Sequence, residues 1–131
     1  MPLSGFHHLA IQSRDPIALA SFYREVLGLQ ELDRHFTREG KLRSIWLSLP
    51  GSGFLALERT DGEPAPEEFR RSRPGYSLFA LRIAPEDRSA LLKELARKGV
   101  QIVHQTRWTI YIRDPEGNRI GLSHHPEDAV E

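Results

Sequence analysis

Gly28-Leu29-Gln30 and Gly99-Val100-Gln101 lie 71 positions apart, and each tripeptide follows a stretch whose apolar residues recur at helical spacing. Upstream of the first are Leu19, Phe22, Tyr23 and Val26; upstream of the second are Leu91, Leu92 and Leu95. A glycine just past such a stripe supplies the left-handed residue that ends a helix. The starts match as well. Asp15-Pro16 joins an N-cap acceptor to a residue whose missing N–H costs nothing at the first helical position, and Pro85 opens the second segment. Outward from each helix, the flanking segments alternate with the period of strands. Phe6–Gln12, Leu29–Phe36, Leu42–Leu49 and Phe54–Glu58 surround the first, with a turn at Pro50-Gly51-Ser52-Gly53. Ser77–Ile83, Gln101–His104, Trp108–Arg113 and Arg119–Ser123 surround the second, with a turn at Asp114-Pro115-Glu116-Gly117. The spacing predicts one βαβββ module written twice.

Thr60–Arg73, with Gly62, Pro64 and Pro66 among acids and arginines, reads as an exposed linker. The expected organisation is one domain over residues 1–131: module one at 5–59, a linker at 60–75 and module two at 76–125. Its 131 residues suffice for a core without covalent staples. Eighteen basic and eighteen acidic side chains cancel, which argues against partners that need a cationic excess, such as nucleic acid or an anionic membrane surface. Without cysteine there is no disulfide framework, thiol nucleophile or thiolate metal site. No apolar run is long enough to span a bilayer, and the first residues lack the basic and apolar regions of a secretory signal. The expected location is the cytoplasm.

His7-His8-Leu9-Ala10-Ile11, Ser21-Phe22-Tyr23-Arg24-Glu25-Val26-Leu27-Gly28-Leu29 and Tyr111-Ile112-Arg113-Asp114-Pro115-Glu116-Gly117-Asn118 together resemble the vicinal oxygen chelate superfamily. That superfamily includes glyoxalase I, extradiol dioxygenases, and fosfomycin- and bleomycin-resistance proteins. The resemblance implies an α+β fold in which duplicated βαβββ modules form a curved, mainly antiparallel mixed sheet around a small-molecule pocket, with the helices outside. It also implies a homodimer. Alternation agrees with two faces: Leu9, Ile11, Ile45, Leu47, Phe79, Leu81, Ile83, Ile110, Ile112, Ile120 and Leu122 toward helices, smaller and more polar residues inward.

Metal-dependent members of that superfamily take ligands from the first and last strand of each module. The matching positions here are His8, Ala56, Leu78 and Gly121. Only His8 carries a donor, whereas a site of this kind needs about three protein donors. A divalent metal is therefore disfavoured, and no cofactor is expected. A rearranged ion site would draw on His8, Glu58 and His125. A metal-free acid/base enzyme would use His8 and Glu58, because imidazole titrates near neutrality. A Ser44–His8 nucleophile pair lacks a third group to orient the imidazole. His124-His125 reads as a solvated tail, and His35 and His104 as surface or edge residues.

The reading that best fits this donor loss is a small-molecule binding or sequestering protein of the bleomycin-resistance kind. The alternative is an enzyme, either a metal-dependent lyase or dioxygenase with a rearranged site or the acid/base catalyst. The expected ligand contacts are His8, Ser44, Trp46, Phe54, Glu58, Arg82 and Tyr111. Small floor residues, a few aromatics and a few polar groups are what such pockets use. Trp46 and Tyr111, each three residues before the end of its strand, are expected at equivalent places, poised to sandwich a planar ligand.

Overall fold

The computed structural model describes residues 2–63 and 74–129, so residues 64–73 of the expected linker lie outside the described residues. The chain divides into two compact units, Met1–Pro64 and Ala65–Glu131, and each carries a mixed, open four-stranded sheet.

In the first unit, β1 (His8–Ser13) leads into α1 (Pro16–Glu25), followed by β2 (Gln30–Phe36), β3 (Leu42–Ser48) and β4 (Phe54–Arg59). The sheet order is β1-β4-β3-β2, with β1 parallel to β4 and the other neighbours antiparallel. The start of α1 is built as the sequence implies. The Asp15 carboxylate accepts from the Ala18 N–H at 3.1 Å, and Pro16 takes the first helical position. Gly28, at φ +73°, then turns the chain, its N–H donating to the Arg24 carbonyl. That conformation costs most side chains about 1–2 kcal/mol. Pro16, Leu19, Ala20 and Tyr23 form the buried stripe of α1, which packs on β3 and β4. Opposite it, Ile45, Leu47, Leu55 and Leu57 are wholly buried.

The second unit repeats this order with β5 (Phe79–Arg82), α2 (Arg88–Arg97), β6 (Ile102–Gln105), β7 (Thr109–Arg113) and β8 (Arg119–Ser123). Its sheet runs β5-β8-β7-β6, again with one parallel pair, β5 with β8. Pro85 does not open α2 directly. Pro85–Asp87 form a 3-10 turn that runs into the helix, and no side chain caps the turn or the helix. Gly99, at φ +74°, ends α2, with the Gly99 and Val100 N–H groups on the Ala96 and Leu95 carbonyls. Ile110, Ile112, Ile120 and Leu122 are buried, as alternation predicts. β5 starts at Phe79 rather than Ser77, which leaves Leu78 exposed before the strand.

Candidate functional site

Cross-strand register sorts the inward side chains into rows, because directly paired residues share a face. In the first unit Ala10, Ala56 and Trp46 form the central row. His8, Phe54 and Ser48 form the row on one side of it; Gln12, Glu58, Ser44 and His35 form the row on the other. In the second unit the central row is Ala80, Gly121, Tyr111 and His104, flanked by Arg82, Ser123 and Thr109. Trp46 beside Ala56 thus corresponds to Tyr111 beside Gly121, the equivalence their strand positions predict.

Aromatic rings link the rows of the first unit. His35 and Trp46 have centroids 4.4 Å apart, Trp46 stacks on Phe54 at 4.5 Å, and Phe54 stacks on His8 at 4.9 Å with planes 11° apart. The ladder crosses all four strands, from β2 through β3 and β4 to β1. It modifies the expected sandwich. Trp46 is already flanked by Phe54 and His35 from its two neighbouring strands. Rings that face one another across strands offer their edges to a molecule lying on the sheet.

His35 and His104 lie on the edge strands β2 and β6, as expected, and each turns its ring to the aromatic side of its sheet. His35 is half-buried against Trp46, and His104 stacks on Tyr111 at 5.7 Å. The cause is a register shift in the second strand of each module, between Glu31 and Asp33 in β2 and between Ile102 and His104 in β6. A bulge adds one residue and turns the following side chains to the other face.

The register also separates residues that the enzymatic alternatives would join. His8 lies opposite Phe54, whereas Glu58 lies opposite Gln12, four residues on and about 13 Å away along the strand. The same offset parts Ser44 from His8, and Ser44 instead neighbours His35 and Glu58. The His7 ring lies beside His8 instead, with its Nδ1 2.8 Å from the His8 Nδ1. The acid/base pair and the nucleophile pair are therefore not assembled.

His124 is the second correction. It is no solvated tail residue: its ring is buried, accepting at Nε2 from the Arg88 guanidinium at 3.0 Å and donating from Nδ1 to the Glu127 carbonyl. Arg88 also donates to the Thr106 and Arg107 carbonyls and to the Gln105 side chain. A residue at the start of α2 thereby ties down the β6–β7 turn and the segment after β8. His125 is exposed, with its ring edge-on to Trp108 at 4.8 Å.

The four positions matched to the superfamily's metal ligands do not suit an ion. His8 faces Phe54, and Ala56 and Leu78 offer hydrocarbon. A Cβ built on Gly121 would lie 3.3 Å from both Ala80 Cβ and Thr109 Cγ2, and 3.6 Å from Leu78 Cδ1. Hydrocarbon atoms of Ala80, Thr109 and Leu78 thus lie against the place where a donor would stand. Among the described residues, no three His, Asp or Glu side chains gather as a metal cluster, and within the first unit His8 and Glu58 stand apart along the strands.

The family model described as Glyoxalase/Bleomycin resistance protein/Dioxygenase superfamily matches residues 5–122. The chain belongs to that superfamily. No match was found among curated proteins. Among solved structures, a glyoxalase/dioxygenase from Nostoc punctiforme aligns with a TM-score of 0.79 at 21% identity, over 96% of this chain and 94% of that one. Lactoylglutathione lyase from Agrobacterium tumefaciens aligns with a TM-score of 0.64 at 19% identity, covering 95% and 96%. The fosfomycin resistance protein FosX from Listeria monocytogenes aligns with a TM-score of 0.70 at 15% identity, covering 93% and 92%. At these identities the likeness concerns the fold. No helix among the described residues is long and apolar enough to cross a membrane.

Proposed function

We propose that this superfamily member binds or sequesters a small molecule without the metal ion its relatives' ligand positions would hold. One observation carries the reading: of the four matched positions, His8, Ala56, Leu78 and Gly121, only His8 has a donor. Loss of donors leaves the exposed small residues Ala10 and Ala80, in register with Ala56 and Gly121, available to an organic ligand. Trp46, Phe54, His8, Ser44 and Glu58 border the first pair, and Tyr111 and Arg82 the second. The superfamily's habits add that the protein works as a homodimer in the cytoplasm.

The test is elemental analysis of protein purified without chelator or affinity metal, followed by a thermal-shift screen of planar small molecules. The expected result is substoichiometric metal, a melting temperature indifferent to EDTA, and stabilisation by a ligand of about 2.7 kcal/mol at a hundredfold excess over its Kd. Trp46→Ala then weakens that ligand by about tenfold or more, and Phe54→Leu also weakens it. Stoichiometric nickel, zinc, manganese or iron overturns the reading in favour of a metal-dependent lyase or dioxygenase.

A further inference from the structure

The inward face of the first unit carries its charge at one end. By register its strand residues are His8, Ala10, Gln12, Gln30, Asp33, His35, Ser44, Trp46, Ser48, Phe54, Ala56 and Glu58, with no lysine or arginine among them. Four nearby arginines are engaged elsewhere, Arg59 with Asp61, Arg14 with Glu63, and Arg24 and Arg34 with Glu31, while Arg43, beside Ser44 on β3, has the opposite parity. Asp33 accepts from the Arg34 N–H and lies 3.7 Å from His35. Glu58 is different. It is exposed, and no hydrogen bond or ion pair holds it among the described residues. It stands two residues from Ala56, about 7 Å along β4 from the central row. Gln12 and Ser44, its cross-strand neighbours, also have no hydrogen-bond partner among the described residues.

We infer that the first unit takes a flat aromatic molecule bearing a positively charged nitrogen, the ring lying over the exposed Ala10 beside the aromatic ladder and the cation meeting Glu58. This assigns a ligand class to the proposed binding face and rests on that reading. The physical case has three parts. Ala10, exposed and small, leaves room for a ring on β1. The ladder of His8, Phe54 and Trp46 presents ring edges beside it, and aromatic edges are electropositive and favour the π-face of a ligand in edge-to-face contact. At the other side, a carboxylate with no cation of its own pairs with an ammonium through a charge-assisted hydrogen bond, which is roughly twice as strong as a neutral one. An anionic ligand on the same face would bring like charge against Glu58 and find no basic side chain in register.

The experiment compares three compounds of one shape by calorimetry at neutral pH: 2-naphthylmethylammonium, 2-naphthylmethanol and 2-naphthylacetate. The ammonium compound is expected to bind wild-type protein at least tenfold more tightly than the alcohol, and Glu58→Gln to erase that advantage while leaving the alcohol's affinity unchanged. If the three bind alike and all are weakened by Trp46→Ala, the binding face stands and the charge assignment is overturned. An ammonium advantage that survives Glu58→Gln also overturns it. If none of the three binds, the reading beneath it falls as well.

Discussion

The two units repeat one plan with opposite emphasis. The first anchors its helix by burial: four residues of α1 are buried, and a side chain caps its start. The second buries only Leu95 from α2, leaves the start uncapped and instead threads Arg88 into a web of four acceptors. Their inward faces differ in the same spirit. Where the first has Gln12 and Glu58 flanking its central row, the second has Arg82 and Ser123, with Arg113 and Arg119 paired beyond. Duplication preserved backbone plan, glycine exits and even the second-strand bulge. It did not preserve charge or the way the helix is held. The durable part is therefore what only backbone geometry can satisfy, and the free part is what side chains can solve in more than one way.

The largest expected effect tests the burial side of this contrast. Leu19 is wholly buried, whereas Leu91, on the corresponding stripe of α2, is only half-buried. Leu19→Ala should cost about 3 kcal/mol or more from lost transfer energy plus the cavity left behind, and Leu91→Ala about 1–2 kcal/mol. Urea denaturation at neutral pH measures both. Equal losses would mean that α2 is held by its apolar stripe after all, and the contrast between the helices would collapse.

The next effect belongs to the polar side. Arg88→Leu keeps an apolar stem but leaves the Thr106 and Arg107 carbonyls and the His124 Nε2 without their donor. Leaving the buried His124 Nε2 without its donor costs about 1–3 kcal/mol, while the exposed Thr106 and Arg107 carbonyls turn to water, so a loss of about 1–2 kcal/mol is expected. Amide exchange should quicken at Thr109 and His124, whose N–H groups bond within this turn. No change on Arg88→Leu would make the web incidental.

What could be read in the sequence follows from the range of the interactions involved. Asp15-Pro16 and the two glycine exits are local devices, so the helix limits were legible from a few residues each. The rows of β1, β3 and β4 were legible because alternation there is unbroken, which placed Trp46, Ala56 and Glu58 on one face. Alternation failed at β2 and β6, where one inserted residue reverses parity and carries His35 and His104 onto the aromatic side. The separation of His8 from Glu58 was also hidden, because parity says which face a side chain takes but not which partner it meets across a parallel pair. His124 was illegible for another reason. Its burial depends on Arg88, 36 positions earlier, and nothing in Ser123-His124-His125-Pro126 announces that contact.

The smallest expected effect compares how the units use ion pairs. In the first, Glu31 on β2 bridges Arg34 on its own strand and Arg24 on α1, at 2.8 and 3.2 Å. The hydrogen bond from Arg34 holds the Glu31 carboxyl below its ordinary value of 4.5. In the second, Arg97 likewise lowers Glu94, but both residues sit on α2 one turn apart. A carboxyl whose folded pKa is depressed contributes stability at pH values above its unfolded pKa. That contribution fades as pH falls from about 4.5 through the lower folded value. Both pairs face solvent, where such interactions are weak and are screened by salt. The Glu31 bridge joins helix to sheet, so unfolding must break it. The Glu94 pair can survive in any residual helix of the unfolded chain and so counts for less. Glu31→Gln should thus lower stability at pH 7 by roughly 0.5 kcal/mol, a difference that is smaller at an acid pH well below 4.5 and shrinks in molar salt. Glu94→Gln should produce a smaller change of the same sign. Denaturation curves for the two variants at both pH values decide the comparison, and a larger effect at Glu94 than at Glu31 would show that the bridge between α1 and β2 does not fasten the first helix.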